Sequence, residues 1–144
     1  MTPLEAFRAW LAARDLRPTP QRMLLAEVLL QADDHPSAEE LVARAREQMP
    51  NIGASTAWRT LALLVQAGLV DRQRLGGVLR YEEHGEHHDH IVCVDCGRLC
   101  EVRDPALEAR QHLVAQRLGF RVVDHVHEIQ GRCLNLACPY RPAP

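Results

Sequence analysis

The sequence predicts an α+β chain in two modules, short helices closed by a β-hairpin over residues 1–82 and a smaller mixed α/β module towards residue 144. Three observations carry that expectation. Apolar residues recur at helical spacing through the first half, with capping residues between the runs. Gly76-Gly77 separates two short runs, the mark of a two-residue hairpin. From His84 the pattern changes: HGEHHDHIVCVDCGRLC holds four of the eight histidines (His84, His87, His88, His90) and three of the five cysteines (Cys93, Cys96, Cys100). Imidazole suits zinc, iron, nickel or copper, and paired thiolates favour zinc or iron–sulfur chemistry.

The elements follow in order. Phe7, Trp10 and Leu11 repeat at helical spacing within residues 4–14. Thr19 can cap a second helix whose first position is Pro20; it spans 20–30 and turns Met23, Leu24 and Val28 inward. Ser37-Ala38-Glu39-Glu40 reads as a capping box opening a third helix to about Gln48. A fourth starts at Ser55 and is closed by Gly68, with Ala57, Leu61, Leu64 and Val65 buried and Ser55, Thr56, Arg59 and Thr60 forming a polar start. Residues 69–75 and 78–82 make the hairpin. Helices followed by a hairpin describe a winged helix-turn-helix, whose last helix meets base edges with its N-terminal side chains. The same pattern also fits a small helical core with an attached hairpin; the polar, Arg-bearing start of the last helix favours DNA.

Beyond the hairpin, residues 87–94 alternate as a strand, Cys93-x-x-Cys96-Gly97 forms a knuckle, and residues 99–102 form a second strand. Asp104 and Pro105 open a helix through Leu118, ended by Gly119, and residues 121–129 read as β-rich alternation. Such a module is small for independent stability, which implies metal, association or both.

Composition sets limits. Hydrophobic residues make up 47%, and no apolar run approaches a membrane span of about 18–20 residues. The N-terminal stretch lacks a signal peptide's apolar region, so a cytoplasmic protein with reduced or metal-bound cysteines is expected. Net charge is −2, yet residues 1–80 hold ten Arg against nine acids and the remainder seven against ten. Every basic residue is arginine, the side chain suited to bidentate phosphate or guanine contacts.

Cys93, Cys96, Cys133 and Cys138 supply four thiolates in two close pairs, as a closed tetrahedral zinc site requires. A redox pair or buried apolar cysteines are the competing readings; no βαβ pattern surrounds the first pair. Strand alternation sends His88 and His90 to one face and His87 and Asp89 to the other, so one strand could feed two metal sites. Further ligands are available in His35, Glu82, Glu83, Glu101, Glu108, His125 and His127.

With the winged-helix pattern, the HHDHxxCxxCG run and a second cysteine pair in one order, the chain resembles the ferric uptake regulator family from about Arg17 to Cys138. The resemblance implies a cytoplasmic homodimeric repressor of metal-uptake genes: residues 1–82 bind DNA, 83–89 form a metal-bearing hinge, and 90–144 dimerise and bind metal. It implies structural zinc on Cys93, Cys96, Cys133 and Cys138, and a hinge sensor of His35, Glu82, His88, His90 and Glu101. An additional metal site would use His87, Asp89, Glu108 and His125. Arg17, Ser55, Thr56, Trp58 and Arg59 would contact a pseudo-palindromic double-stranded operator, with no membrane and no small organic ligand involved. Fe(II) is the regulatory metal expected, with Zn(II) and Mn(II) as alternatives.

The chain departs from the family at Trp58, where tyrosine is usual, and at Cys100, where an apolar residue is usual; the latter reads as a core thiol. Glu82 requires a one-residue shift, so Glu83 competes with it, and His84 and His127 match no family role. A metallohydrolase would need a general base that the sequence does not identify. A metal-buffering protein would explain the ligands without DNA.

Overall fold

Helix α1 (Pro3–Ala12) starts from a capping box in which the Thr2 hydroxyl accepts from the Glu5 N–H and the Glu5 carboxylate accepts from the Thr2 N–H. Helix α2 (Pro20–Leu30) takes its cap from Thr19 and its first residue from proline, which has no N–H to leave unpaired there. Helix α3 (Ala38–Arg46) repeats the capping box with Ser37 and Glu40. Helix α4 (Ala54–Gln66) follows Gly53 without a side-chain cap. Strands β1 (Val70–Leu75) and β2 (Val78–Glu83) pair antiparallel with Leu75 opposite Val78. Gly76 and Gly77 join them at φ 57° and 80°, the left-handed pair that a type I′ turn demands.

The structure is a computed structural model that describes residues 1–134. It divides into two compact units, Met1–Gly85 and the residues from Glu86 onward. In the first, sixteen buried residues form one core, with Phe7, Leu11, Leu25, Leu29, Ile52, Leu61 and Leu64 almost wholly enclosed. The inward face of α2 differs from the sequence expectation. Leu25, Ala26 and Leu29 join Met23 in the core, while Leu24 and Val28 are only partly buried. Thr60, expected to be polar surface, is also buried; its hydroxyl donates to the Thr56 carbonyl at 2.7 Å, so it needs no outside partner.

The second unit contains β3 (Asp89–Cys93), β4 (Leu99–Val102), α5 (Pro105–Arg117) and β5 (Glu128–Gly131). Its sheet runs β4-β3-β5, with β3 antiparallel to β4 and parallel to β5, so α5 belongs to the crossover between parallel neighbours. The expected β alternation over residues 121–129 is mostly not strand. Only residues 128–131 find the register beside β3, and the segment before them is irregular, with Val123 and Val126 exposed. Likewise β3 begins at Asp89 rather than at His87. Helix α5 buries none of its residues, and Leu113, Val114, Leu118 and Phe120 are exposed. Among the described residues, no helix is long and apolar enough to cross a membrane.

Candidate metal centres

The knuckle after β3 builds the first centre. Gly97, at φ 73°, lets the chain turn back so that its N–H donates to the Cys93 carbonyl at 2.9 Å. The Cys93 N–H in turn donates to the Arg98 carbonyl at 2.8 Å. Strand β5 delivers Cys133 to the same place, and one Sγ each from Cys93, Cys96 and Cys133 lies within 4.8 Å of the others. Cys96 and Cys133 are 3.6 Å apart, close to the edge of about 3.8 Å that a tetrahedron of 2.3 Å Zn–S bonds implies. Backbone N–H groups of Cys96 and Cys133 aim at the Cys93 sulfur and hold its thiol down at about 6. A cluster that already favours thiolate fits a soft divalent cation. Cys138 lies outside the described residues, and Cys100, half-buried on β4 opposite Ile91, is not in the cluster.

The second centre also lies within the second unit. His87, Asp89, Glu108 and His125 each bring one ligand atom within 4.8 Å of the others. The Nε2 atoms of His87 and His125 are 2.9 Å apart, and Asp89 Oδ1 is 3.3 Å from each. Glu108 Oε1 lies 3.5 Å from His87 and 3.3 Å from His125. The Asp89 side chain is 3% exposed, so this carboxylate is enclosed among imidazoles rather than solvated. Two imidazoles and two carboxylates without sulfur fit Fe(II), Mn(II) or Zn(II).

The sequence left His127 without a role. Its Nδ1 stands 3.5 Å from Asp89 Oδ2 and 3.3 Å from the Gln111 amide nitrogen. Its spacing of two from His125 was the available signal, and it goes unread once that segment is taken for ordinary strand.

The residues expected to form the hinge sensor divide between the units, and each half has its own geometry. In the first unit, His35 Nε2 and Glu82 Oε2 meet at 2.7 Å, both largely enclosed, whereas Glu83 is exposed. In the second, the His88 and His90 rings pack edge to face at 4.7 Å, on the opposite side of the strand from His87 and Asp89. His88 Nδ1 donates to the Glu86 carbonyl at 3.0 Å, and its Nε2 faces Glu101 Oε1 at 3.5 Å. A backbone acceptor on Nδ1 leaves Nε2 of the neutral ring as the lone-pair nitrogen, the usual arrangement for a metal-ligating imidazole. His84 instead pairs with Asp71 at 2.8 Å on the exposed hairpin, and His112 is exposed on α5.

On α4, Ser55, Trp58 and Arg59 are exposed at spacings of three and four, and so share one face; Thr56 is partly covered. Trp58 borders a cavity of about 190 Å³ between α3 and α4, lined also by Ala38, Glu39, Val42, Arg46 and Ala54. Arg17 is exposed before α2, where its carbonyl accepts from the Arg22 guanidinium at 2.8 Å.

Comparison with known proteins joins these features. The sequence model described as the ferric uptake regulator family matches residues 13–130. A ferric uptake regulation protein of Rhizobium leguminosarum bv. viciae is 40% identical over 120 residues, 82% of this chain and 84% of the relative. Among solved structures, a zinc-bound manganese uptake regulator is 37% identical with a TM-score of 0.75, over 90% of this chain and 99% of its own. The Helicobacter pylori ferric uptake regulator, whose structure is described as revealing three functional metal binding sites, is 29% identical. Its TM-score is 0.85, over 92% of this chain and 89% of its own.

Proposed function

We propose, from the premise that this chain belongs to the ferric uptake regulator family, that it represses metal-uptake genes by binding operator DNA when its regulatory site holds Fe(II). As a member of that family it is a metal-responsive transcriptional regulator and not an enzyme.

The observation that carries the choice of metal is the sorting of ligands by softness. Three thiols gather in one cluster, which suits structural zinc together with Cys138. The other groups, namely His87, Asp89, Glu108 and His125, and the half-sites of His35 with Glu82 and of His88, His90 and Glu101, contain only nitrogen and oxygen donors. Such sets suit Fe(II) and Mn(II) as well as Zn(II), whereas the thiolate cluster selects zinc.

A divalent cation supplies positive charge that imidazole and carboxylate donors can share. The protein's own residues do the rest. His35 lies just before α3 in the DNA-binding half (residues 1–82), while His88, His90 and Glu101 belong to or adjoin the dimerisation half (residues 90–144). A ligand set drawn from both halves across the hinge at 83–89 makes metal affinity depend on their arrangement, and the coupling to DNA must be reciprocal. The break between units at Gly85 and Glu86 supports that placement of the hinge. Helix α4 enters the major groove with Ser55, Thr56, Trp58 and Arg59, while Arg17 meets the phosphate backbone. The exposed apolar residues of α5 pack against a second copy, and the resulting two-fold matches a pseudo-palindromic operator. The working compartment is the cytoplasm.

A manganese-responsive reading is favoured by one observation, the 37% identity to a manganese uptake regulator over nearly all of its length. An anaerobic titration of the zinc-loaded protein with Fe(II), Mn(II) and Zn(II), against a labelled operator selected from random DNA, tests both. Fe(II) should induce tight, steeply salt-dependent binding. Activation first by manganese, or by zinc at very low free concentration, reassigns the sensed metal. No selected operator under any metal overturns the repressor and leaves a metal-buffering protein.

A further inference from the structure

His35 lies in the connection between α2 and α3, a segment without regular structure of its own except where it meets β2. The stitching is specific. The Tyr81 N–H donates to the Pro36 carbonyl at 3.0 Å, and Ser37 pairs with Arg80 as an isolated antiparallel bridge. Arg80 Nη1 donates to the His35 carbonyl at 2.8 Å and lies 3.3 Å from Glu40 Oε2. That Glu40 oxygen also accepts from the Ser37 N–H at 2.8 Å, closing the cap of α3. Two residues beyond Arg80, on the same face of β2, Glu82 meets the His35 imidazole at 2.7 Å.

One strand face therefore supplies a guanidinium to the backbone of His35 and a carboxylate to its ring. We propose that Arg80 is a positioning residue for the regulatory metal site: it fixes the His35 main chain so that the imidazole is held against Glu82, and it ties that loop to the start of α3. The proposal rests on the reading of His35 and Glu82 as metal ligands. An exposed Arg–Glu pair alone does little; the second acceptor, a ligand's own carbonyl, is what gives Arg80 its role. The single Nη1, with two hydrogens, serves both acceptors. A lysine carries its hydrogens on a freely rotating ammonium and lacks the planar group that fixes the direction of both at once.

The test uses full-length, zinc-loaded protein carrying His125→Ala, so that the second cluster does not compete, and Co(II) as the probe. Co(II) absorption, competition with a chelator, thermal melting and operator binding are measured for His35→Ala, Arg80→Gln, Arg80→Lys and Glu40→Gln. Arg80→Gln should weaken Co(II) binding about 10- to 100-fold, as loss of a ligand's supporting partner does elsewhere. Its zinc content and its operator affinity at saturating Co(II) should stay near those of the parent, and its metal-free melting temperature should fall by no more than a few degrees. Arg80→Lys should fall between it and the parent, and Glu40→Gln should shift binding least.

If His35→Ala binds Co(II) as the parent does, the ligand reading itself fails. If His35→Ala loses the site while both Arg80 variants retain parental affinity, only the positioning role is overturned. A lowered melting temperature with unchanged Co(II) affinity also overturns it, leaving a structural clamp. Should Arg80→Gln not fold, Arg80→Lys decides by the same two readouts.

Discussion

Between Met1 and Gly85, sixteen buried residues, nearly all apolar, close on one another. In the second unit, the buried side chains among the described residues are Val92, Cys93, Asp89 and His90, and α5 contributes none. The first half can be understood through the hydrophobic effect, at roughly 1.5–3 kcal/mol for each large apolar side chain enclosed. The second half cannot. Apart from Val92, its enclosed groups are donors with charges or lone pairs to satisfy, and several of its large apolar side chains, Leu118 and Phe120 among them, are exposed. Under the proposed function, a unit built this way would draw stability from what it binds: a metal for the donors and a second copy for the apolar surface.

Metal removal should expose that contrast most visibly. Cys96→Ser, or stripping zinc with a strong chelator, should unfold the second unit while the first stays folded, because binding energy at such a site is folding energy. Hydrogen exchange would show it: amides of residues 89–131 should lose protection while those of α2 and α4 keep theirs. Loss of protection in both units together would show that they fold as one. The converse substitution is Leu61→Ala in the first core, where the side chain is 1% exposed. It should cost about 2–5 kcal/mol by denaturant unfolding and leave the zinc content intact. Next in size is Arg59→Ala on the exposed face of α4, expected to weaken operator binding by about 1–3 kcal/mol with metal affinity unchanged in the absence of DNA. A matching fall in metal affinity would mean that Arg59 supports the fold rather than the contact.

The contrast also explains what the sequence could reveal. Local signals were sufficient in the first unit: Thr19-Pro20 set the start of α2, Ser37 with Glu40 set α3, and Gly76-Gly77 set the hairpin. Strand alternation alone separated His88 and His90 from His87 and Asp89, because side-chain direction on a strand follows parity. What stayed hidden depends on distant partners. The burial of Thr60 depends on a back-bond to Thr56 within a packed face, and the direction of His127 depends on where Asp89 lies. The Arg80 bond to the His35 carbonyl spans forty-five positions and leaves no periodic trace. Residues 121–129 misled because most of the alternation finds no strand to pair with: His125 and His127 turn towards Asp89, and β5 begins only at Glu128, where the chain reaches the edge of β3.

Acid should sharpen the comparison with the smallest intervention. In the second unit the Cys93 thiol is held down at about 6 by the N–H groups of Cys96 and Cys133, so the folded form prefers thiolate. A group depressed on folding stabilises above its unfolded value, ordinarily about 8.5 for a thiol, and loses that contribution as pH falls to its folded value. Protonation also expels metal from thiolate ligands, in the same direction. In the first unit the depressed groups are carboxylates. Asp34 is held below the usual range by its hydrogen bonds to the Arg44 guanidinium, and Glu5 by the Thr2 N–H and hydroxyl. Their contributions are complete above the ordinary carboxylate values and disappear only at lower pH. Lowering the pH from 8 to 5.5 should therefore loosen the second unit and leave the first unchanged. Asp34→Asn, on a pair whose carboxylate is half-exposed, should cost the first unit only about 0.2–1 kcal/mol at pH 7. That difference should shrink towards zero as the pH falls below the carboxylate range, where wild-type Asp34 is protonated as well. Unfolding curves at pH 7 and through a series descending below pH 4 measure it: a difference that does not diminish along the series would mean that the substituted amide fails through its shape rather than through the lost charge.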